Sequence, residues 1–194
     1  MKKVIFWYWS LLSASWWNST LKREVSEDDM IYLELQWYKR VWTPTIEITF
    51  EDKKTYYNWV FLDIKKCKNC FVNGYWLVVS DDEFDMISKR ELAYEMIDVT
   101  DNIKQKQDWY SYFTAYIKLK NDDVCYESGE SYIIPKKYHD LIMWILDKKP
   151  EEFKKNYLDN TNEPNYKLLD WFYNFCNPIV DYYTGHSNDK TNIK

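Results

Sequence analysis

The chain has 194 residues but only three glycines, two histidines and four cysteines. Three separated glycines exclude a Walker loop and a Rossmann fingerprint, because both motifs need several glycines close together. The sequence also lacks the Gly-x-Ser-x-Gly nucleophile elbow, and with two histidines it does not indicate Ser–His or Cys–His hydrolase chemistry. Four scattered cysteines are too few for a disulfide scaffold, which favours a reducing intracellular compartment.

Long apolar runs are absent as well. No stretch approaches the ~20 apolar residues of a membrane span, so we expect no membrane insertion. The N-terminus has the outline of a short signal peptide, with a basic start, an apolar run and small residues at 13–15. Bulky aromatics and Ser10 interrupt that run. We therefore predict a buried first strand at Val4–Trp9 and a cytoplasmic protein, and we favour a secreted form less.

Charge and aromatic content constrain the partners. The formal net charge is −5, from 31 acids and 26 bases, whereas proteins that bind phosphate backbones are normally basic. Binding to a nucleic-acid backbone is therefore disfavoured. Aromatic residues make up 20% of the chain, including 11 tryptophans and 18 tyrosines. These rings could fill the core, or the surplus could form a binding surface, since Trp and Tyr are enriched at interfaces.

Residues 45–79 look like three neighbouring strands. Thr45–Phe50 alternates apolar and polar residues, which is typical of a half-buried strand. Phe71–Val79 is the third stretch. Tyr56–Ile64 is apolar on both faces, and so is Tyr75–Val79, which predicts strands covered on both sides. Asn73-Gly74 is the strongest short hairpin signal, because a type I′ turn needs positive φ at both positions.

The segments around this region have local signals of their own. Residues 30–42 fit a helix face and a strand face equally well; their aromatic and β-branched content favours a strand, which Pro44 should end. Ser80 followed by acids predicts a short helix to about Leu92. Further strands are predicted at Tyr94–Val99, Tyr110–Lys120 and Ser131–Ile134.

The C-terminal part changes to helical patterns. Helices are predicted after Pro135 and Pro150, and a third after Pro164 with an apolar stripe that includes Leu168 and Phe175, ending at Pro178. The fold predicted is a single α+β domain over residues 1–185. A mainly antiparallel sheet from about residue 4 to about residue 134 would pack against helices at about 135–184, and residues 186–194 would form a flexible polar tail.

Two clusters could bear chemistry. Cys67-x-x-Cys70 has metal-like spacing, but a structural zinc site needs four ligands and a second pair is missing. We therefore interpret the two cysteines as thiols in a hairpin loop and only as weak metal candidates. The acids at 81–85 could gather Mg²⁺, yet acids are also favoured in the first turn of a helix. No catalytic residue and no cofactor is predicted from these patterns.

The functional hypothesis rests on missing catalytic signatures, an acidic balance and surplus Trp and Tyr. It is a non-enzymatic protein-binding module, such as an inhibitor or immunity-type protein that occludes a basic partner, for example a nuclease. The alternatives are a metal-dependent hydrolase of unfamiliar type and an aromatic platform for single-stranded nucleic acid or sugar. The sequence does not predict the oligomeric state. The interface candidates are Trp16, Trp17, Asp28, Asp29, Tyr38 and Trp42.

Overall fold

A computed structural model describes residues 3–9, 12–50, 56–91, 94–105, 113–117, 132–170 and 173–175, without the side chains at 19, 44–47, 49–50, 56–57 and 173–175. These residues adopt the predicted α+β fold. In chain order the elements are β1 (Lys3–Trp7), α1 (Ala14–Leu21), a 3-10 turn (Glu27–Asp29), β2 (Ile31–Phe50), β3 (Tyr56–Val79), α2 (Asp81–Arg90), β4 (Glu95–Asp98), a 3-10 turn (Thr100–Asn102), β5 (Phe113–Ile117), β6 (Tyr132–Pro135), α3 (Lys136–Leu146), α4 (Glu151–Asp159), β7 (Lys167–Leu169) and β8 (Tyr173–Phe175).

The strands form one mixed sheet in the order β4-β5-β1-β3-β2-β8. Off this path, β6 pairs with β3 and with β7. Four of the pairings are antiparallel, as predicted for most of the sheet. Three pairings are parallel: β1 with β5, β3 with β6, and β6 with β7. The predicted first strand is confirmed, and it lies in the interior of the sheet between β3 and β5.

Strands β2 and β3 form a long antiparallel ribbon. The strand prediction for residues 30–42 is confirmed, but the prediction that Pro44 ends it is wrong. β2 continues to Phe50, and a register shift between Pro44 and Ile46 lies at the proline. Such an irregularity lets a ladder accommodate a residue without an N–H group.

The predicted hairpin at Asn73-Gly74 is also wrong. Both residues lie inside β3, where Gly74 pairs with Leu33 of β2. A Cβ atom at Gly74 would overlap the Trp7 carbonyl oxygen and lie 2.8 Å from Phe6 Cζ. The glycine is therefore needed for the close approach of β1 and not for a turn.

We expect Gly74→Ala to lower the free energy of unfolding by about 3 kcal/mol, because the added methyl group meets backbone that cannot move without disturbing the β1–β3 ladder. Urea denaturation would measure this. The exposed Lys65 on the same strand gives a control, Lys65→Ala, which should stay within about 0.5 kcal/mol of the wild type. A cost below about 1 kcal/mol for Gly74→Ala would show that β1 can withdraw freely.

A second irregularity interrupts the ribbon between the pairs Gln36–Phe71 and Tyr38–Lys66. Here β2 contributes one residue, Trp37, and β3 contributes the four residues 67–70. The alternation of buried positions therefore changes phase. Trp37, which continues the apolar alternation of the preceding residues, is 58% exposed, whereas the neighbouring Tyr38 is buried.

The helices α3 and α4 confirm the predictions made from Pro135 and Pro150. The predicted third helix is wrong, because the chain after Pro164 forms β7 and β8. β7 extends the parallel pairing of β6, and β8 adds to the edge of β2. Pairing with open sheet edges therefore outweighs the helical spacing of the apolar residues in this segment. Residues 171–172 and 176–194, including the predicted tail, lie outside the described residues.

The core is packed with aromatic rings. The side chains of Trp7, Trp17, Trp59 and Trp76 are fully buried. The two-sided burial predicted for Tyr56–Ile64 is confirmed from Trp59 onward. Val60, Leu62 and Ile64 are buried on one face, and on the other face Trp59 is buried and Phe61 is partly buried. No helix among the described residues is long and apolar enough to cross a bilayer.

Candidate active site

Helix α2 ends at a buried acid. As the sequence predicts, Ser80 caps this helix: its hydroxyl accepts from the Glu83 N–H at 3.2 Å, and the Glu83 carboxylate accepts from the Ser80 N–H at 2.8 Å. Phe84 and Ile87 bury one face of the helix. These contacts fix the position of Glu91, the C-terminal cap residue, whose side chain is only 8% exposed.

The Glu91 carboxyl is suited to proton transfer. Burial raises its pKa to about 7, and the neighbouring Arg90 charge, with Nε 3.4 Å from the carboxylate, opposes the rise only in part. The C-terminal end of a helix carries partial negative charge, which disfavours an ionised carboxylate there and so also favours a raised pKa. At neutral pH the group is therefore close to half protonated, and it can both take up and release a proton.

Tyr8 follows β1 and is buried near this carboxyl. Its hydroxyl donates to the Tyr116 carbonyl oxygen at 2.5 Å and lies 3.4 Å from Asp63 Oδ1. Burial raises the pKa of Tyr8 well above its usual value; the Asp63 charge is the next contributor, and the Glu91 charge adds to it. Tyr8 therefore stays neutral over the whole range in which Glu91 titrates.

Tyr116 on β5 accepts the hydrogen bond from Tyr8 through its backbone carbonyl oxygen. Its hydroxyl shares a hydrogen bond of 2.8 Å with Ser88 Oγ on α2. Burial raises the pKa of Tyr116 to about 12, with a contribution from Glu91. The Glu91 carboxyl is thus within electrostatic range of two neutral phenols, one after β1 and one on β5.

Aromatic rings form the surroundings of this cluster. Trp9 packs against Tyr8 at 4.3 Å and against Tyr94 at 4.7 Å between ring centroids. The Tyr94 N–H donates to the Glu91 carbonyl oxygen at 2.8 Å, which holds these rings close to the end of α2. An apolar shell of this kind keeps water away and strengthens electrostatic interactions inside it.

A buried arginine holds the end of β1 in place. Arg40 Nε donates to the Tyr8 carbonyl oxygen at 2.9 Å, and its terminal nitrogens donate to the side-chain and backbone oxygens of Asn73. The guanidinium also lies 3.6 Å from the centroid of the Tyr157 ring on α4. Burial lowers the pKa of Arg40 to about 10, so it remains a cation at neutral pH.

The predicted interface residues do not form one exposed surface. The rings of Trp17 and Tyr38 are buried, and those of Trp16 and Trp42 are partly buried against the core, so the folded chain cannot offer them as exposed anchors. The sequence around Trp16 and Trp17 fits a loop or a short helix with exposed rings; the two residues lie in the short helix α1, but their rings face the core. Asp28 and Asp29 are exposed, and the Asp29 carboxylate accepts from the Ser26 N–H as part of a capping box.

The two predicted chemical clusters have structural explanations. Cys67 and Cys70 are joined by a disulfide in the four-residue excursion of β3, so they are neither separate thiols nor free metal ligands in this state. Within the acidic run, Asp81 pairs with Lys3 at 3.1 Å and Glu83 pairs with Arg23. No three His, Cys, Asp or Glu side chains among the described residues are grouped so as to hold a metal ion.

The sequence analysis missed Glu91 and Tyr8. One available signal is that Glu91 puts an acid at the end of a predicted helix, where the dipole favours bases. Another is that Tyr8 puts a hydroxyl in an apolar strand, where a buried phenol needs a partner. Their proximity is not readable locally, because it depends on β1, β5 and α2 meeting.

No protein-family model and no curated protein matches the sequence. Solved structures do match the fold. A γ-glutamyl cyclotransferase superposes with a TM-score of 0.55 at 13% identity, covering 95% of this chain and 99% of that chain. An uncharacterized protein from Homo sapiens gives 0.54 at 14% identity, covering 94% and 98%. YkqA from Bacillus subtilis gives 0.52 at 14% identity, covering 85% of this chain and 56% of that one.

These likenesses overturn the functional hypothesis drawn from the sequence. The hypothesis of a non-enzymatic inhibitor or immunity-type module is wrong, because the architecture is one that a named enzyme uses over nearly its whole length. They equally give no support to the metal-dependent hydrolase or the aromatic platform. At these identities the likeness establishes architecture alone. The chain shares the fold of γ-glutamyl cyclotransferase.

Proposed function

We propose that the protein is an acyl-transfer enzyme of the cyclotransferase type, with Glu91 as its general base and general acid. The observation that carries the proposal is the buried Glu91 carboxyl, whose pKa of about 7 is matched to proton transfer at neutral pH. The shared fold with a γ-glutamyl cyclotransferase supports the reaction class.

The reaction is an internal acyl transfer. In a γ-glutamyl amide, the α-amino nitrogen attacks the γ-carbonyl carbon, a new C–N bond closes a five-membered lactam, and the bond to the leaving amine breaks. The α-ammonium group must lose two protons, one to solvent before it attacks and one as the new C–N bond forms, and the leaving nitrogen must gain one. Ionised Glu91 accepts a proton from the attacking nitrogen and returns it to the leaving amine, so the carboxyl ends in its starting state.

The surroundings of Glu91 fit this role. The phenols of Tyr8 and Tyr116 are neutral at the working pH, so they add no charge that would hold Glu91 in one protonation state. The rings of Trp9 and Tyr94 limit the entry of water, which would compete with the amino group for the acyl carbon. Arg40 fixes the Tyr8 backbone and with it the β1 side of the site.

The test is turnover of a panel of γ-glutamyl amides, including a γ-glutamyl dipeptide and a γ-glutamyl anilide, with the lactam and the free amine quantified by chromatography. We expect Glu91→Gln to lower kcat by about 10²–10⁴-fold, the usual contribution of a general acid–base group. We also expect kcat/KM to rise with pH through about 7 as Glu91 ionises.

The exposed Glu95 on β4 supplies the matched control. Glu95→Gln removes the same charge from the chain and should leave turnover unchanged. The proposal fails if no γ-glutamyl amide yields lactam, or if Glu91→Gln turns over as fast as the wild type.

A further inference from the structure

A cleft opens where the β2–β3 ribbon is interrupted. Its volume is about 540 Å³, and Trp37, Lys66, Lys68, Asp101 and Asn102 are among the residues that line it. A cavity of this size lies within the range of small-molecule sites. The cleft exists because the two strands differ in length at this point, with one residue opposite four.

The backbone of the cleft is unusual at Trp37. This residue has φ of 66°, in the left-handed region that bulky residues rarely adopt, and its ring is 58% exposed. The facing excursion has a second left-handed residue, Asn69, a type that tolerates this conformation well. Asn or Gly at position 37 would make the bulge without strain, so a tryptophan there needs another explanation. An exposed ring at a cleft is suited to stacking against a planar group.

The charge of the cleft favours an anion. Lys66 and Lys68 are exposed, and neither has an ion pair within the described part of the chain, whereas the Asp101 side of the cleft already has an interaction partner. This is a local basic region in a chain with a net charge of −5. The Cys67–Cys70 disulfide closes the excursion that carries Lys68.

We propose that this cleft is a binding site for a small planar anion, an aromatic ring bearing a carboxylate or a phosphate. The ring would stack on Trp37, and Lys66 and Lys68 would neutralise the charge. The site is independent of the chemistry proposed for Glu91, and its occupancy is measured by binding and not by turnover.

The probes are 1-naphthoate, its neutral isostere 1-naphthamide, and acetate, which has the charge without the ring. Binding to the full chain would be measured by calorimetry, and by fluorine NMR of protein labelled with 5-fluorotryptophan. Trp37→Phe would assign the Trp37 resonance. We expect 1-naphthoate to shift that resonance and to bind about tenfold more tightly than 1-naphthamide. Acetate should leave the resonance unmoved, and added salt should weaken the binding of 1-naphthoate.

Variants separate the two contributions. Trp37→Asn relieves the backbone strain while removing the ring, so it should fold and bind 1-naphthoate at least about tenfold more weakly. The double variant Lys66→Gln/Lys68→Gln should bind the acid and the amide equally. Trp144→Ala is the matched control: that ring is 51% exposed on α3, but Lys148 Nζ already lies 3.3 Å from its centroid. Its loss should not change the affinity.

Two results would overturn the proposal. One is a Trp37 resonance that 1-naphthoate does not shift. The other is equal affinity for 1-naphthoate in the wild type and in Trp37→Asn, which would place any binding elsewhere on the chain.

Discussion

Replacing Arg40 by methionine should lower the free energy of unfolding by about 4 kcal/mol. The change removes the donors to the Tyr8 carbonyl oxygen and to both Asn73 oxygens. Each buried acceptor left without a partner costs about 1–3 kcal/mol. The stacking contact with Tyr157 is lost as well.

An opposing effect has to be weighed. Burying a guanidinium is unfavourable, as the lowered pKa of Arg40, about 10, indicates, and methionine avoids that desolvation. Replacing buried charges with apolar groups can stabilise a protein when every partner is replaced too. Here two of the three acceptors are backbone carbonyls, which no substitution can remove. We therefore expect the loss of hydrogen bonds to dominate.

Urea denaturation at neutral pH measures this prediction. Arg40→Lys should recover part of the loss, because an ammonium group supplies donors but cannot span all three acceptors with the planar geometry of a guanidinium. Lys39→Met, on the preceding and less buried residue of β2, is the control and should change stability by no more than about 0.5 kcal/mol. A stability for Arg40→Met within about 1 kcal/mol of the wild type would mean that the acceptors find other donors.

The second large effect is a pH-dependent gain in stability for Glu91→Gln. The folded pKa of Glu91 is raised from its ordinary value of 4.5 to about 7. Between these values the folded state holds a proton that the unfolded state has released, so the free energy of unfolding of the wild type falls as pH rises through this window. Below pH 4.5 this contribution is fully present, and above about pH 7 it is lost.

The glutamine variant lacks this dependence. The difference in stability between Glu91→Gln and the wild type should therefore grow from pH 4.5 to about 7 and then stay constant. At ~1.4 kcal/mol for each pH unit, the growth amounts to about 3 kcal/mol. Denaturation series at several pH values would show it, with Glu95→Gln run in parallel as a control for the lost charge. Parallel curves for Glu91→Gln and the wild type would remove the basis for proton transfer by Glu91 near neutral pH.

Helices that begin at a capping residue or a proline were predicted correctly from the local sequence. Ser80 with its following acids marks α2, and Pro135 and Pro150 mark α3 and α4, because caps and first turns depend on a few adjacent residues. The strands within residues 45–64 were also predictable, since they follow from alternation and a two-sided apolar pattern. For residues 30–42 the spacing fits helix and strand equally, and only their aromatic and β-branched content favours the strand.

The wrong predictions concern positions whose structure depends on contacts with distant parts of the chain. Asn73-Gly74 has the composition of a turn, but the requirement at Gly74 comes from the approach of β1, which is remote in sequence. The segment after Pro164 has helical spacing, and instead Lys167–Leu169 and Tyr173–Phe175 extend the sheet as strands. The candidate site has the same origin, because Glu91, Tyr8 and Tyr116 come from three separate elements. No pattern within one of these elements specifies the pKa of Glu91.

The position of β1 within the sheet has a consequence for biosynthesis. β1 leaves the ribosome before β3 and β5, yet Val4 pairs both with Val78 of β3 and with Phe113 of β5. Non-local pairings of this kind form slowly. Until β5 has been synthesised, the aromatic N-terminal strand lacks one neighbour, and such exposed strands are prone to aggregate. We expect nascent chains that end before residue 113 to bind chaperones through this strand, and longer chains to release them.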